Sequence, residues 1–326
     1  MQRLLASVAI GILTCFAAVG SARSDYPDRP IAMIVPFAAG GPTDTIARII
    51  GEPMGKMLGQ PIVVENVAGA GGTTGITRGA QSKPDGYTIM MGHMGTHGAA
   101  PALYPNLKYD PAKDFAPVGL VAGTAILIIA KKEFPAANLK EFVAYLRSNP
   151  DKVNEAHAGV GSVSFTTCTM LQSIIGTKTA RVAYPGTAPS LNDLVAGQVD
   201  FGCDQIVNVV AQVQAGTIKA FAVASPQRAS VLKDVPTTRE AGLPEFQVSA
   251  WNAVFAPKDT PKDVMGMLNN ALVKALDDAA TRSRLLELGS IIPDRPGRTP
   301  EALQTLVEKE VARWTPILKA AGVAVN

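Results

Sequence analysis

Apolar and polar positions along this chain follow two rhythms that take turns. Short apolar runs of strand length are followed by stretches whose apolar residues recur every three or four positions. Ile31–Pro36 is the first such run, and the loop Phe37–Pro42 leads from it into a stretch from Thr43 to Leu58. There Ile46, Ile49, Ile50, Met54, Met57 and Leu58 recur at helical spacing. Pro61–Glu65 predicts a second strand, Asn66–Gly72 a loop, and Thr73 the start of another helix. Lys83-Pro84-Asp85-Gly86 has the chemistry of a turn, and Tyr87–Met91 predicts a third strand.

The pattern changes at Val118–Lys131, an apolar run too long for one lobe's strand, which predicts a crossing into a second lobe. A second series follows, with strands at Lys152–His157, Arg181–Tyr184, Val199–Cys203 and Ile218–Ala224. Its helices begin near Ser164, Thr187 and Gln205, and Gln247–Ala256 reads as the return crossing. Asn138 with Glu141 predicts a capping box. Thr260-Pro261 and Thr299-Pro300 each place an N-cap threonine before a first-turn proline. Such alternation implies an α/β fold with a central mixed or parallel sheet in each of two lobes. Residues 25–124 and 249–326 form lobe 1 in this reading, and 125–248 form lobe 2.

Composition narrows the class. At 47% hydrophobic and 17% charged, 326 residues suit an ordered globular chain. The formal charge of +3 comes without any Lys/Arg run, which argues against nucleic acid as a partner. Arg3, the apolar stretch Leu4–Val19 and the small residues around Ala22-Arg23-Ser24 read as a secretory signal, 1–24, cleaved near Ser24. Thr14 before Cys15 disfavours a lipoprotein signal. Cleavage removes Arg3 and Arg23, leaving 28 basic and 27 acidic residues. Cys168 and Cys203 remain; export permits a disulfide, and two buried free thiols are the alternative. Neither lies in a C-x-x-C, so neither zinc nor redox chemistry is indicated.

Three glycine-rich turns stand between a strand and a helix, where open α/β sheets bind ligands. They are Pro36–Asp44, Gly69–Gly75 and Gly159–Ser164. Backbone N–H groups and helix dipoles there favour an anion without any arginine. The nucleotide alternative fails on pattern: G-x-x-x-x-G-K-[ST] does not occur, and Thr74 stands where a dinucleotide fingerprint needs its third glycine. His93 and His97 have a metal-ligand spacing, yet Gly92, Gly95 and Gly98 disfavour a helix, so packing or hydrogen bonding is the reading preferred. Asp204 follows a predicted strand and serves either as a helix cap or as a ligand contact. With no G-x-S-x-G elbow, a hydrolase lacks sequence support.

At these same residues the sequence resembles the substrate-binding proteins of tripartite tricarboxylate transporters, the Bug family. The resemblance runs through Tyr26–Pro30, Pro36–Asp44 with Ala47-Arg48, Asn66–Gly75, Pro84–Thr88, Tyr184–Pro189, Asp193–Asp200, Asp234–Thr237 and Glu240–Gly242. It implies a type II periplasmic binding fold whose lobes close on a ligand in a hinged cleft. Phe37, Gly41, Thr43, Asp44 and Thr45 would clamp one carboxylate together with Ala70, Gly71, Gly72 and Thr73. His93, Thr96 and His97 would add to them, and Ser162, Ser164, Thr187 and Asp204 would close the second lobe. The implied partners are a small organic carboxylate and the membrane subunits of the transporter. The implied form is a periplasmic monomer with no cofactor and no metal. The alternative is a secreted α/β hydrolase or transferase acting on a small carboxylate.

Overall fold

The computed structural model describes residues 26–323; the expected signal segment, with Cys15, lies outside them. Strand β1 (Ile31–Val35), helix α1 (Pro42–Leu58), β2 (Ile62–Asn66), α2 (Thr73–Ala80) and β3 (Thr88–His93) form the opening series. A wide helical turn, Met94–Ala99, and the short α3 (Ala100–Leu103) lead to β4 (Phe115–Lys131). Then follow α4 (Leu139–Ser148), β5 (Asn154–His157), α5 (Val163–Ile175), β6 (Ala180–Ala183), α6 (Thr187–Val195), β7 (Phe201–Gln205), α7 (Ile206–Gln214) and β8 (Ile218–Val223). The chain finishes with β9 (Ser249–Pro257), α8 (Lys262–Asp277), α9 (Ala279–Glu287), β10 (Ser290–Ile291) and α10 (Pro300–Ala320).

Helix α1 forms where its apolar spacing predicts, and Ile46, Ile49, Ile50 and Met54 are buried. Pro42 opens it, since a first-turn N–H has no intrahelical partner to lose. Gly59 closes it at φ 74°. Thr299 caps α10 through the N–H of Ala302. Asn138 caps α4 through the N–H of Glu141, whose carboxylate reaches back to the N–H of Ala137 rather than that of Asn138.

Four expectations need correction. Thr260 does not cap α8: its hydroxyl turns back to the Pro257 carbonyl at 2.7 Å, and the helix starts at Lys262. β5 begins at Asn154, because Pro150 draws Pro150–Lys152 into a tight helical turn. β7 starts two residues late, at Phe201, because the Asp200 carboxylate is held by the Asn154 N–H and by Lys131. That shift puts Asp204 inside the strand. Helical turning does occur around His97, despite the glycines. His93 Nδ1 accepts the N–H groups of Gly95 and Thr96, and Thr96 Oγ1 receives the N–H of His93. This reciprocal cap offsets the entropy the glycines lose.

One continuous path of pairing runs β2-β1-β3-β9-β4-β7-β5-β6, with β8 and β10 also on β4. β1 pairs in parallel with β2 and β3, and β9 inserts antiparallel between β3 and β4. β4 changes partners along its length. Phe115–Ala125 pairs with β9, and Ile126–Lys131 pairs with β7 and β8. The sheet therefore has two halves that share β4, and the chain returns to the first at Val248, whose N–H donates to Ala224 of the second. α1 and α8 cover one face of the first half, burying Leu268, Leu272 and Leu276 against Ile46 and Ile50. α10 covers the other with Leu303, Val307, Trp314 and Leu318.

Candidate functional site

A small cavity lies between the two halves. Phe37, Gly41, Pro42, Thr43, Asp44 and His93 wall it from the first half. Ala158, Ser162, Val163, Ser164, Thr187 and Gln205 wall it from the second. It opens at the C-terminal ends of β1, β3, β5 and β7, the edge where α/β sheets take ligands. Three helices begin on it: α1 at Pro42, α5 at Val163 and α6 at Thr187. Their first-turn N–H groups have no partner inside the helix. The positive ends of three dipoles thus converge on a space that no lysine or arginine lines.

The side chains of the wall are set by hydrogen bonds behind it. Asp44 accepts from the Gly40 N–H at 2.9 Å, Arg48 Nε at 3.0 Å and Asn66 Nδ2 at 2.9 Å. Burial alone would raise its pKa, but Arg48, the Gly40 N–H and Asn66 outweigh that and hold it below the usual carboxylate range. Asp44 thus pins the turn through three donors, which leaves its oxygens reduced capacity for ligand. The Asn66 amide also donates to the Phe37 carbonyl at 3.0 Å, tying β2 to the first turn. His93 is 1% exposed, and burial lowers its pKa to about 3. Because Nδ1 accepts two backbone N–H groups, the ring proton sits on Nε2, a neutral donor. Its ring stacks on Phe37 at 5.0 Å between centroids. Ser162 Oγ accepts the Phe165 N–H, Ser164 Oγ accepts the Ala158 N–H, and the two hydroxyls are 3.1 Å apart. One hydroxyl proton is used between them, so the other is free to donate.

The remaining residues of the expected site are elsewhere. Thr45 is the fourth residue of α1, with its N–H on the Gly41 carbonyl. Ala70, Gly71 and Gly72 border a neighbouring space with Tyr104, Gly159 and Val160; only Phe37 and Ala158 line both. Thr73 Oγ1 bonds back to the Ala70 carbonyl. Gly71, at φ 60°, is so close to the second half that a Cβ on it would lie 1.6 Å from the Val160 oxygen. Tyr104 Oη lies 2.8 Å from the Ala70 carbonyl and 2.6 Å from the Val160 carbonyl. The Ala38 N–H donates to the Pro185 carbonyl at 3.2 Å, so the halves also meet through backbone.

Thr96 and His97 sit behind His93, with Thr96 Oγ1 3.0 Å from His97 Nδ1. The His97 ring lies 4.0 Å from that of Phe255, and burial holds its pKa well below the ordinary value. Asp204 is buried beside the cavity wall, accepting from the Gln205 N–H and Asn208 Nδ2, and burial pushes its pKa up to about 7. Cys168 of α5 and Cys203 of β7 are joined, with Cα atoms 5.3 Å apart. Sequence reasoning did not single out Ala158 or Gln205, and it held Val163 only as part of the turn Gly159–Ser164. Gln205 had a usable signal: it ends a second-half strand and precedes a helix. Ala158 and Val163 carry no polar signal at all.

Among the described residues, no group of three or more His, Cys, Asp or Glu is placed to hold a metal ion. No helix among them is long and apolar enough to cross a membrane. Residues 46–323 match the model of the tripartite tricarboxylate transporter family receptor. A UPF0065 protein from the TAR-I ttuE-ttuC' intergenic region of Agrobacterium vitis is 40% identical over 304 residues, 93% of this chain and 88% of that protein. MatC of Rhodopseudomonas palustris, solved with bound malate, is 48% identical at a TM-score of 0.88, covering 90% of this chain and 100% of its own. The periplasmic binding protein BugD is 43% identical at a TM-score of 0.89, covering 92% of this chain and 100% of its own.

Proposed function

This chain belongs to the tripartite tricarboxylate transporter receptor family, and on that premise we propose that it is a periplasmic solute-binding protein for a small organic carboxylate. It captures the ligand between the two halves of the sheet and presents it to the membrane subunits of a tripartite tricarboxylate-type transporter. The observation that carries the reading is the wall of the cavity: three helix N-termini, hydroxyls and a neutral histidine, with no cation. Such a wall suits an anion that must be released again, since neutral donors bind it without a buried ion pair. Malate in the related MatC supports the same ligand class. In this reading 25–124 and 249–326 act as one lobe and 125–248 as the other, with β4 and β9 as the crossings. The protein works as an exported monomer without a cofactor. An enzyme would need an activated nucleophile. The hydroxyls of Ser162 and Ser164 bond to each other and to backbone N–H groups, with no histidine partner among the described residues.

Calorimetry of the purified chain against di-, tri- and aromatic carboxylates, with mass analysis of the mixture afterwards, tests the proposal. Saturable one-to-one binding without conversion is expected. Turnover, or failure to bind every member of the panel, would overturn it.

A further inference from the structure

Gln205 is buried at 3% exposure, at the end of β7, and lines the cavity from the second half. Its Oε1 is held from behind by two donors: Thr124 Oγ1 of β4 at 2.7 Å and Asn252 Nδ2 of β9 at 3.2 Å. Asn252 in turn accepts from Thr43 Oγ1 at 3.3 Å, on the opposite wall of the cavity. Thr124 and Asn252 are both wholly buried. A planar amide whose oxygen is held in this way carries its NH₂ on the other side. No hydrogen bond to the Gln205 amide nitrogen is formed among the described residues. The cavity therefore meets two N–H donors whose direction is set by the strands joining the two halves.

We propose that Gln205 is the specificity-determining residue of the site, its amide nitrogen donating to a ligand oxygen and turning away ligands that carry an ammonium group. The proposal rests on the carboxylate-binding reading and deepens it. Around Gln205 the wall is donor-rich: helix N–H groups, His93 Nε2–H and a serine hydroxyl proton. The one carboxylate in that wall, Asp44, already accepts from Gly40, Arg48 and Asn66. An ammonium group would find few acceptors and would face the amide protons. The favoured class is therefore an unaminated dicarboxylate, with or without a hydroxyl. Thr124 and Asn252 are positioning residues, acting through Gln205 alone.

The test compares malate, succinate and aspartate by calorimetry on the full mature chain, with melting curves for every variant. Wild type should bind malate at least tenfold tighter than aspartate. Gln205→Glu is isosteric, keeps the oxygen that Thr124 and Asn252 hold, and replaces the donor with an acceptor. It should weaken malate about 10- to 100-fold, the range of a hydrogen bond to a charged group. The malate-to-aspartate ratio should fall by at least as much. Thr124→Val, also isosteric, frees the amide and should lower that ratio at least threefold; it keeps the question decidable should Gln205→Glu not fold. If wild type binds malate and the variants keep its ratio, the assignment of Gln205 is overturned while the carboxylate reading stands. If wild type prefers aspartate, the assignment is likewise overturned. If wild type binds no carboxylate, both fall.

Discussion

The turns Phe37–Pro42 and Val67–Gly72 leave neighbouring parallel strands, β1 and β2, and open the successive helices α1 and α2. Both are glycine-rich and free of lysine and arginine, so their local chemistry is the same. Their surroundings differ. The first ends on an open space, and its Gly41 carries ordinary extended backbone at φ −80°. The second is pressed against the backbone of the second half, with Gly69, Gly71 and Gly72 all at positive φ. Glycine permits close approach in both places. The first turn meets the second half through Ala38 and Pro185 and still borders the cavity at Gly41; in the second turn the approach is taken by the Val160 carbonyl. Under the proposed function, the first turn would hold the ligand and the second would seat the halves on each other.

Gly71→Val tests the seating role most severely. A β-branched residue at φ 60° is strained, and its Cβ would collide with the Val160 oxygen. The collision is relieved only by parting the halves. Carboxylate affinity should fall more than about 100-fold while each half stays folded, as calorimetry and circular dichroism would register. Normal affinity would remove the distinction between the turns.

The next effect concerns His93, which stacks on the first turn. Folded, it stays neutral down to about pH 3, whereas an unfolded histidine titrates near 6.5. The unfolded chain therefore takes up an extra proton as pH falls below 6.5. Stability present above that pH is lost on the way to pH 3. His93→Gln should remove this share, on the order of 2–3 kcal/mol at pH 4. The difference between melting temperatures at pH 7 and pH 4 should narrow, though His97 leaves a loss of the same sign behind. An unchanged difference would mean His93 is not held neutral.

Gly41→Val probes the holding role. There a Cβ would lie 3.0 Å from Thr187 Oγ1, with no strain in φ, so one hydroxyl must give way. Affinity should drop about tenfold, an order less than for Gly71, because the halves can still meet. An equal drop would merge the two roles. Tyr104→Phe is the mildest change. It removes one hydroxyl that bridges the Ala70 and Val160 carbonyls at the half-exposed rim. A net hydrogen bond of about 1 kcal/mol predicts a roughly fivefold loss, carried by faster ligand release in stopped-flow measurements.

Much of this molecule was legible from residue pattern. Ile46, Ile49, Ile50 and Met54 marked α1 because a helix buries one stripe, and that rule acts within a few residues. The run ending at Lys131 marked β4, which stays apolar because most of its length is buried. Thr260 misled because a threonine hydroxyl also bonds backwards, and here the Pro257 carbonyl took it. Among site residues, the first turn, His93, Ser162, Ser164 and Thr187 announced themselves as polar or glycine positions at strand-to-helix junctions, and the cavity gathers them. Local order and the glycine-rich junctions were therefore properties of the chain itself. Only tertiary structure decided that Gly71 faces a carbonyl 89 positions away in sequence, at Val160, while Gly41 faces the cavity. It alone turned the Gln205 amide inward, through donors on β4 and β9. The physical reason is range: propensity and periodicity act between near neighbours, whereas close approach and hydrogen-bond direction belong to partners the fold brings together.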